Sequence, residues 1–306
     1  MRRRNVHVPP FLILSITDKC NLRCAGCFDR ELHAGKDGRI TYARLYKLLF
    51  EAQDLGVSTI MISGGEPLIR RDIFDITERL PSMAFALFTN GTMLGADVIQ
   101  LLQQRKNVVP VLSMEGNRRE TDGRRGDGVF ARIESAMSDL RTAGIFFGCS
   151  ITVTRDNFGI ATDPQWVERL LGKGCRLFVF VEYIPVTRDS GDLALTQKQR
   201  EELIYATAKL RRKKKALFVA FPGDEDQFGG CLAAGRGFVH ISSSGDIEPC
   251  PFSPYSDSSI REKSLMEALM SPLLAKIREN HENLNETKGG CALWKEREWV
   301  AEKLRE

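Results

Sequence analysis

The sequence predicts an α/β protein built on a largely parallel sheet. Three observations lead there: apolar β-type runs alternate with helical patterns through the first two thirds of the chain, the runs are apolar throughout, and glycines stand where helices should end. The strands are Phe11–Ile16, Ser58–Ile62, Phe85–Thr89, Val109–Met114, Phe146–Thr154 and Leu177–Tyr183. The helices are Tyr42–Leu55, Asp72–Leu80, Ala96–Arg105, Val129–Ala143, Gln165–Leu171 and about Thr196–Lys215. Gly56 and Gly144 close the first and fourth of these. Strands apolar on both faces are expected where helices cover both sides of a sheet. Periodicity alone leaves a partial barrel and an open sheet both open.

From Ala216 the pattern changes. Short strands (Leu217–Phe221, Gly237–Ser242, Asp246–Glu248) are spaced by Gly- and Ser-rich turns, then come a helix near Ser264–Asn280, a turn at Gly289-Gly290 and a short terminal helix. Two domains are therefore expected, residues 1–215 as the main α/β unit and 216–306 as a smaller α+β module.

Composition narrows the function. The 306 residues are 42% hydrophobic and 27% charged, enough for a buried core. Lys+Arg 44 less Asp+Glu 40 gives +4, too mild to point to nucleic acid. The basic runs Arg2–Arg4 and Arg211–Lys215 read as solvated charge, the second complementing a helix dipole. No stretch reaches the ~18 apolar residues of a membrane span, and the N-terminal apolar run is too short for a signal peptide, so a cytoplasmic protein is expected. In that setting 8 cysteines in clusters suggest metal ligands rather than disulfides.

Cys20, Cys24 and Cys27 form a CxxxCxxC on the loop after the first strand, the end of a parallel sheet that carries active sites. Three thiolates in one loop can hold three corners of an iron–sulfur cubane and leave the fourth iron open. A zinc site would need a fourth ligand, which His33 could offer.

The triplet has company. Gly64-Gly65-Glu66-Pro67 follows the second strand, Thr89-Asn90-Gly91-Thr92 the third, and Leu112-Ser113-Met114-Glu115-Gly116 lies at the fourth. In this order, over roughly residues 11–190, the series resembles the radical S-adenosylmethionine (radical SAM) superfamily. The resemblance implies a partial (β/α)6 TIM-like barrel and a [4Fe-4S] cluster on Cys20, Cys24 and Cys27, whose open iron is chelated by S-adenosylmethionine. It implies that Gly64 and Gly65 let the backbone approach the methionine amino group and that Glu66 adds negative charge beside it. Asn90 and Ser113 would contact the cofactor, Arg125 would pair with its carboxylate, and Phe28 would lie near the adenine. Glu115 stands where many relatives have Asp. Gly26 stands where relatives more often carry an aromatic residue.

Further on, Cys231 and Cys250 bracket Gly245 in a CxnGx4C arrangement, and Cys291 follows alone. This is similar to the start of the SPASM or shorter twitch module of many radical SAM enzymes and implies one auxiliary [4Fe-4S] cluster. A full SPASM domain would carry a further cysteine run that this chain lacks.

Cys149 and Cys175 read as core thiols, with a hydrogen-atom donor as the minority reading. Glu182 and Tyr183, at the end of the sixth strand, are weak catalytic candidates. The resemblance implies reductive cleavage of S-adenosylmethionine, an external electron donor such as flavodoxin or ferredoxin, and hydrogen abstraction from an unidentified substrate. The outcome, whether of oxidoreductase, isomerase or lyase type, is open. A small molecule is favoured over a ribosomally made peptide, because the first strand begins about residue 11 and leaves no room for a leader-binding domain. The rival from another class is a non-catalytic iron–sulfur redox protein.

Overall fold

The structure, a computed structural model, describes residues 6–33, 39–284 and 290–306. Arg2–Arg4 and Gly289 lie outside the described residues. Nine strands form one sheet: β1 (Phe11–Ser15), β2 (Thr59–Ser63), β3 (Ala84–Thr89), β4 (Val108–Met114), β5 (Gly148–Val153), β6 (Leu177–Glu182), β7 (Leu217–Phe221), β8 (Phe238–Ile241) and β9 (Ile247–Glu248). Their order is β7-β6-β5-β4-β3-β2-β1-β8-β9, parallel except for the last pair, and the sheet forms a half-barrel. The six predicted strands hold to within two residues at either end.

The helices are α1 (Phe28–His33), α2 (Tyr42–Asp54), α3 (Ile73–Glu78), α4 (Ala96–Gln104), α5 (Arg118–Arg125), α6 (Val129–Thr142), α7 (Phe158–Ala161), α8 (Pro164–Gly172), α9 (Gln197–Lys213), α10 (Leu265–Leu269), α11 (Pro272–Glu279), α12 (Ala292–Lys295) and α13 (Arg297–Arg305). In α2, Leu45, Leu48, Leu49 and Ala52 recur at helical spacing and are buried, while Thr41 caps the start by accepting from Arg44 N.

The pleat sorts each strand. Leu12, Leu14, Ile60, Ile62, Leu112 and Ile151 are fully buried in the apolar core, whereas Ile13, Met61, Ser63, Ser113, Ser150, Thr152 and Val181 face the concave side. The concave face thus carries serine and threonine among strands that read as apolar.

Two differences from the sequence expectation have physical causes. Arg118–Arg125 is helical, with Asn117 and Glu120 forming a capping box; its residues are polar all round, so no apolar period announces it. The helix expected over Ser264–Asn280 is two, because Ser271 caps a new start with Pro272 at its first position. The change of pattern at Ala216 does not break the sheet: β7 pairs with β6, with Phe218 opposite Phe178, and β8 pairs with β1, with Phe238 opposite Phe11. One apolar core runs from Leu12 to Val300. Among the described residues, no helix is long and apolar enough to cross a membrane.

Candidate active site

A cavity of about 540 Å³ opens on the concave face of the sheet and reaches past the C-terminal strand ends. Cys20, Cys24 and Cys27 line it together with Phe28, Gly64, Gly65, Asn90, Ser113, Arg125, Glu182 and Tyr183. Residues that the sequence places far apart therefore meet at one site.

The cysteine loop is held from several sides. Ala25 N donates to Arg124 O at 2.9 Å, and Arg30 Nη2 donates to Cys24 O at 3.2 Å. Asn21 Nδ2 donates to Thr92 Oγ1, and Asn90 Nδ2 donates back to Asn21 Oδ1, both at 2.8 Å, which joins the Thr89–Thr92 motif to the loop. Burial raises the Cys20 thiol pKa, partly offset by the Leu22 N–H on its sulfur. Burial also raises Cys24, and Arg125 and Arg124 oppose it. A bound metal cation reverses this balance and deprotonates a coordinating thiol.

The Gly-Gly pair serves the loop's backbone. A Cβ at Gly64 would stand 2.3 Å from Thr17 O, and one at Gly65 would stand 2.2 Å from Lys19 O. Gly65 N donates to Thr17 O and Glu66 N to Lys19 O, each at 2.8 Å, so the chain leading into Cys20 lies directly on the pair. Glu66 follows the pair and turns away from the cavity. Its carboxylate is fully buried, accepts from Leu68 N and Thr89 Oγ1 at Oε1 and from Asn90 N at Oε2, and is not part of the cavity wall. Burial raises its pKa against those donors.

Arg125 lies in the cavity wall, but its guanidinium grips Glu115, Nε to Oε2 at 2.7 Å and Nη2 to Oε1 at 2.8 Å. Arg124 Nη1 reaches the same Oε1 at 2.7 Å. Burial would lower the Arg125 pKa, but Glu115 outweighs it and raises the value, so Arg125 stays cationic beside Cys24. Ser113 faces the cavity from β4, and Phe28 packs against Phe252 with ring centroids 4.7 Å apart.

Glu182 also lines the cavity, yet both its oxygens are engaged: Oε1 accepts from Arg200 Nε at 2.6 Å and Oε2 from Gly290 N at 3.0 Å. Burial raises its pKa, and Arg200 opposes the rise. The carboxylate thus ties the residue before Cys291 to the end of β6. Ala234 N donates to Pro249 O at 3.0 Å, which sets the Cys231 and Cys250 segments side by side. Their chain neighbours Leu232 and Pro251 line the cavity.

Cys149 and Cys175 do not reach the site. Both are fully buried, and they hydrogen-bond to each other on the outer side of the sheet, since Ser150 and Thr152 take the inward positions of β5. His33 is not among the residues lining the cavity: its Nε2 is 3.1 Å from Glu248 Oε2, which also receives His240 Nδ1 at 2.8 Å. Ser15 Oγ meets His240 Nε2 at 2.8 Å. Sequence reasoning missed this buried cluster, Asn21 and Arg124; only the polar loop rich in arginine hinted at the last.

The Cys20–Cys24–Cys27 loop fits a cubane cluster: three thiols open on a cavity that His33 does not line, and the glycine pair lets the loop close against β2. Comparison with known proteins agrees with this geometry. Residues 14–158 match the family model of the Radical SAM superfamily. An AdoMet-dependent heme synthase of Methanosarcina barkeri is 24% identical over 94% of this chain and 88% of its own length. A GTP 3′,8-cyclase of Clostridium botulinum is 26% identical, covering 88% of each. Streptococcus suis SuiB bound to S-adenosylmethionine superimposes with a TM-score of 0.73 at 21% identity, over 94% of this chain and 72% of that one. Residues 14–158, which carry the cysteine loop and the strand-end motifs, thus form a domain of the radical SAM superfamily, and the chain is an enzyme.

Proposed function

We propose that Cys20, Cys24 and Cys27 hold a [4Fe-4S] cluster that, once reduced, supplies the electron to cleave S-adenosylmethionine into methionine and a 5′-deoxyadenosyl radical, which takes a hydrogen atom from substrate. The observation that supports this is the meeting of the three cysteines with Gly64, Gly65, Ser113 and Arg125 on one cavity. The protein's own part is positioning and exclusion of water. Arg124 and Arg125, aligned by Glu115, favour the thiolate at Cys24. Asn90 and Asn21 hold the loop against the end of β3. The walls of β1, β6 and β7 present Ile13, Val179, Val181 and Val219, an apolar lining suited to a radical.

Residues 1–215 would form the catalytic unit and 216–306 a SPASM/twitch-like module. Cys231, Cys250 and Cys291 would carry one auxiliary [4Fe-4S] cluster near Leu232 and Pro251 of the cavity wall. An external flavodoxin or ferredoxin would deliver the electron. The substrate we favour is a small molecule; the relatives that span most of the chain are named for heme, pre-heme d1 and GTP.

The test is anaerobic incubation of the reconstituted enzyme with S-adenosylmethionine and a strong reductant, followed by assay for 5′-deoxyadenosine. Its formation supports the proposal. Its absence with chemical and protein reductants alike would leave a non-catalytic iron–sulfur protein.

A further inference from the structure

His33, His240 and Glu248 come from α1, β8 and β9, yet one ring nitrogen of each histidine and one carboxylate oxygen lie within 4.8 Å of one another. Strand pairing sets His240 opposite Glu248, and α1, which begins right after Cys27, brings His33 over both. Glu248 Oε2 is the meeting point, 3.1 Å from His33 Nε2 and 2.8 Å from His240 Nδ1. The three residues are 5%, 1% and 0% exposed in chain order.

Hydrogen bonds alone leave this cluster unsettled. If His33 Nε2–H donates to Glu248, Nδ1 of the neutral ring carries a lone pair. That nitrogen is buried without a hydrogen-bond partner, and Asp29 Oδ1 stands 3.6 Å from it. A lone pair facing a carboxylate away from water is unfavourable. A cation at Nε2 reverses the tautomer, so that Nδ1 carries the proton and points it at Asp29. Metal-bound histidines are oriented by carboxylates in this way. His240 is prepared likewise: its far nitrogen, Nε2, meets Ser15 Oγ at 2.8 Å and can donate to it while Nδ1 binds the ion.

We propose that His33, His240 and Glu248 bind a divalent transition-metal ion, zinc being the best match to the donors. Two imidazoles and one carboxylate are a set that zinc takes, with water in the fourth position. Donors about 2.1 Å from a tetrahedral ion lie about 3.4 Å apart, so the pairs at 3.1 and 2.8 Å open by about 0.3 and 0.6 Å. The double charge of the ion balances the carboxylates of Glu248 and Asp29. None of the three ligands is a cysteine, so this ion and the iron–sulfur clusters draw on different side chains. Its place gives it a structural role: it clasps the helix that follows the cysteine loop to the strand pair that leads into Cys250.

The test is zinc binding by the iron-loaded enzyme, whose cysteines are then occupied. Wild type, Glu248→Gln and His240→Ala are dialysed anaerobically against micromolar zinc, and zinc and iron per chain are counted. Wild type should hold about one zinc, and both variants should lose it with iron unchanged. X-ray absorption at the zinc edge of wild type should show nitrogen and oxygen neighbours, the outer scattering of two imidazole rings and no sulfur. Wild type that retains no zinc, or zinc with sulfur neighbours, overturns the proposal. Zinc held equally well by Glu248→Gln overturns it too. Should a variant lose iron as well, the wild-type spectrum decides: two imidazoles at zinc support the site, and their absence refutes it.

Discussion

Asn90 Nδ2 donates to Asn21 Oδ1 at 2.8 Å, so the end of β3 holds the loop between the first two cysteines. Asn90→Ala removes this bond and the acceptor that Thr92 uses from both its N–H and its hydroxyl. We predict a local loss of about 1–2 kcal/mol. The measurement is the rate at which a chelator strips iron, which should rise severalfold with overall secondary structure intact by circular dichroism.

Gly65→Ala places a methyl carbon against Lys19 O, and a backbone atom cannot yield as a side chain can. Expected is a destabilisation of about 3 kcal/mol or more and failure to retain iron at Cys20. Gly123→Ala in α5 is the matched control, because nothing lies within 4 Å of its Cβ position. That change should stabilise by about 0.5–1 kcal/mol, as alanine does in a helix. Thermal midpoints and iron content distinguish the two.

Much of the fold was legible because apolar runs and glycine caps report burial directly, as in β2 or α2. α5 was not, since its eight residues are polar on every side and only their capping box gives them away. The candidate site was legible as a set of residue types at strand ends, and Cys20, Cys24, Cys27, Gly65, Asn90 and Ser113 do meet on one cavity. Direction was not legible. Nothing in Gly64-Gly65-Glu66-Pro67 says that the carboxylate turns inward to the amides of Leu68 and Asn90. Nor does any local pattern place Tyr183 beside Gly26, since β6 lies five strands from β1 and only the curvature of the half-barrel brings its end to the cysteine loop.

His240 provides a pH test. Burial lowers its pKa more than the hydrogen bond to Glu248 raises it; His33 and Asp29 are the other titratable groups acting on it. Below the ordinary imidazole range the unfolded chain takes up a proton that the folded chain refuses, so stability should fall as pH drops through that range and level off above it. The midpoint of cluster-free protein in urea, followed from pH 8 to pH about 5.5, should decline for wild type. It should decline less steeply for His240→Gln.

Glu182 anchors Gly290 and, through it, the segment bearing Cys291. Glu182→Ala leaves the Arg200 guanidinium unpaired beside the cavity and frees that segment. We expect the auxiliary cluster to be lost, with about four irons remaining. The spectroscopic response of those irons to S-adenosylmethionine should persist. Retention of both clusters would show that Cys291 is placed by other contacts.

Cys149→Ala and Cys175→Ala should leave 5′-deoxyadenosine formation unchanged, because both thiols are buried outside the cavity. Each should cost about 1 kcal/mol of core packing. A selective loss of product, with 5′-deoxyadenosine still made, would return one of them to the chemistry as a hydrogen-atom donor.

The most direct test of the account is anaerobic iron and sulfide content, compared between wild type and the Cys20/Cys24/Cys27→Ala triple variant. Two cubanes predict about eight irons in wild type and about four in the variant, with the response to S-adenosylmethionine abolished. A triple variant that keeps all of its iron would contradict the assignment of the cluster to this loop.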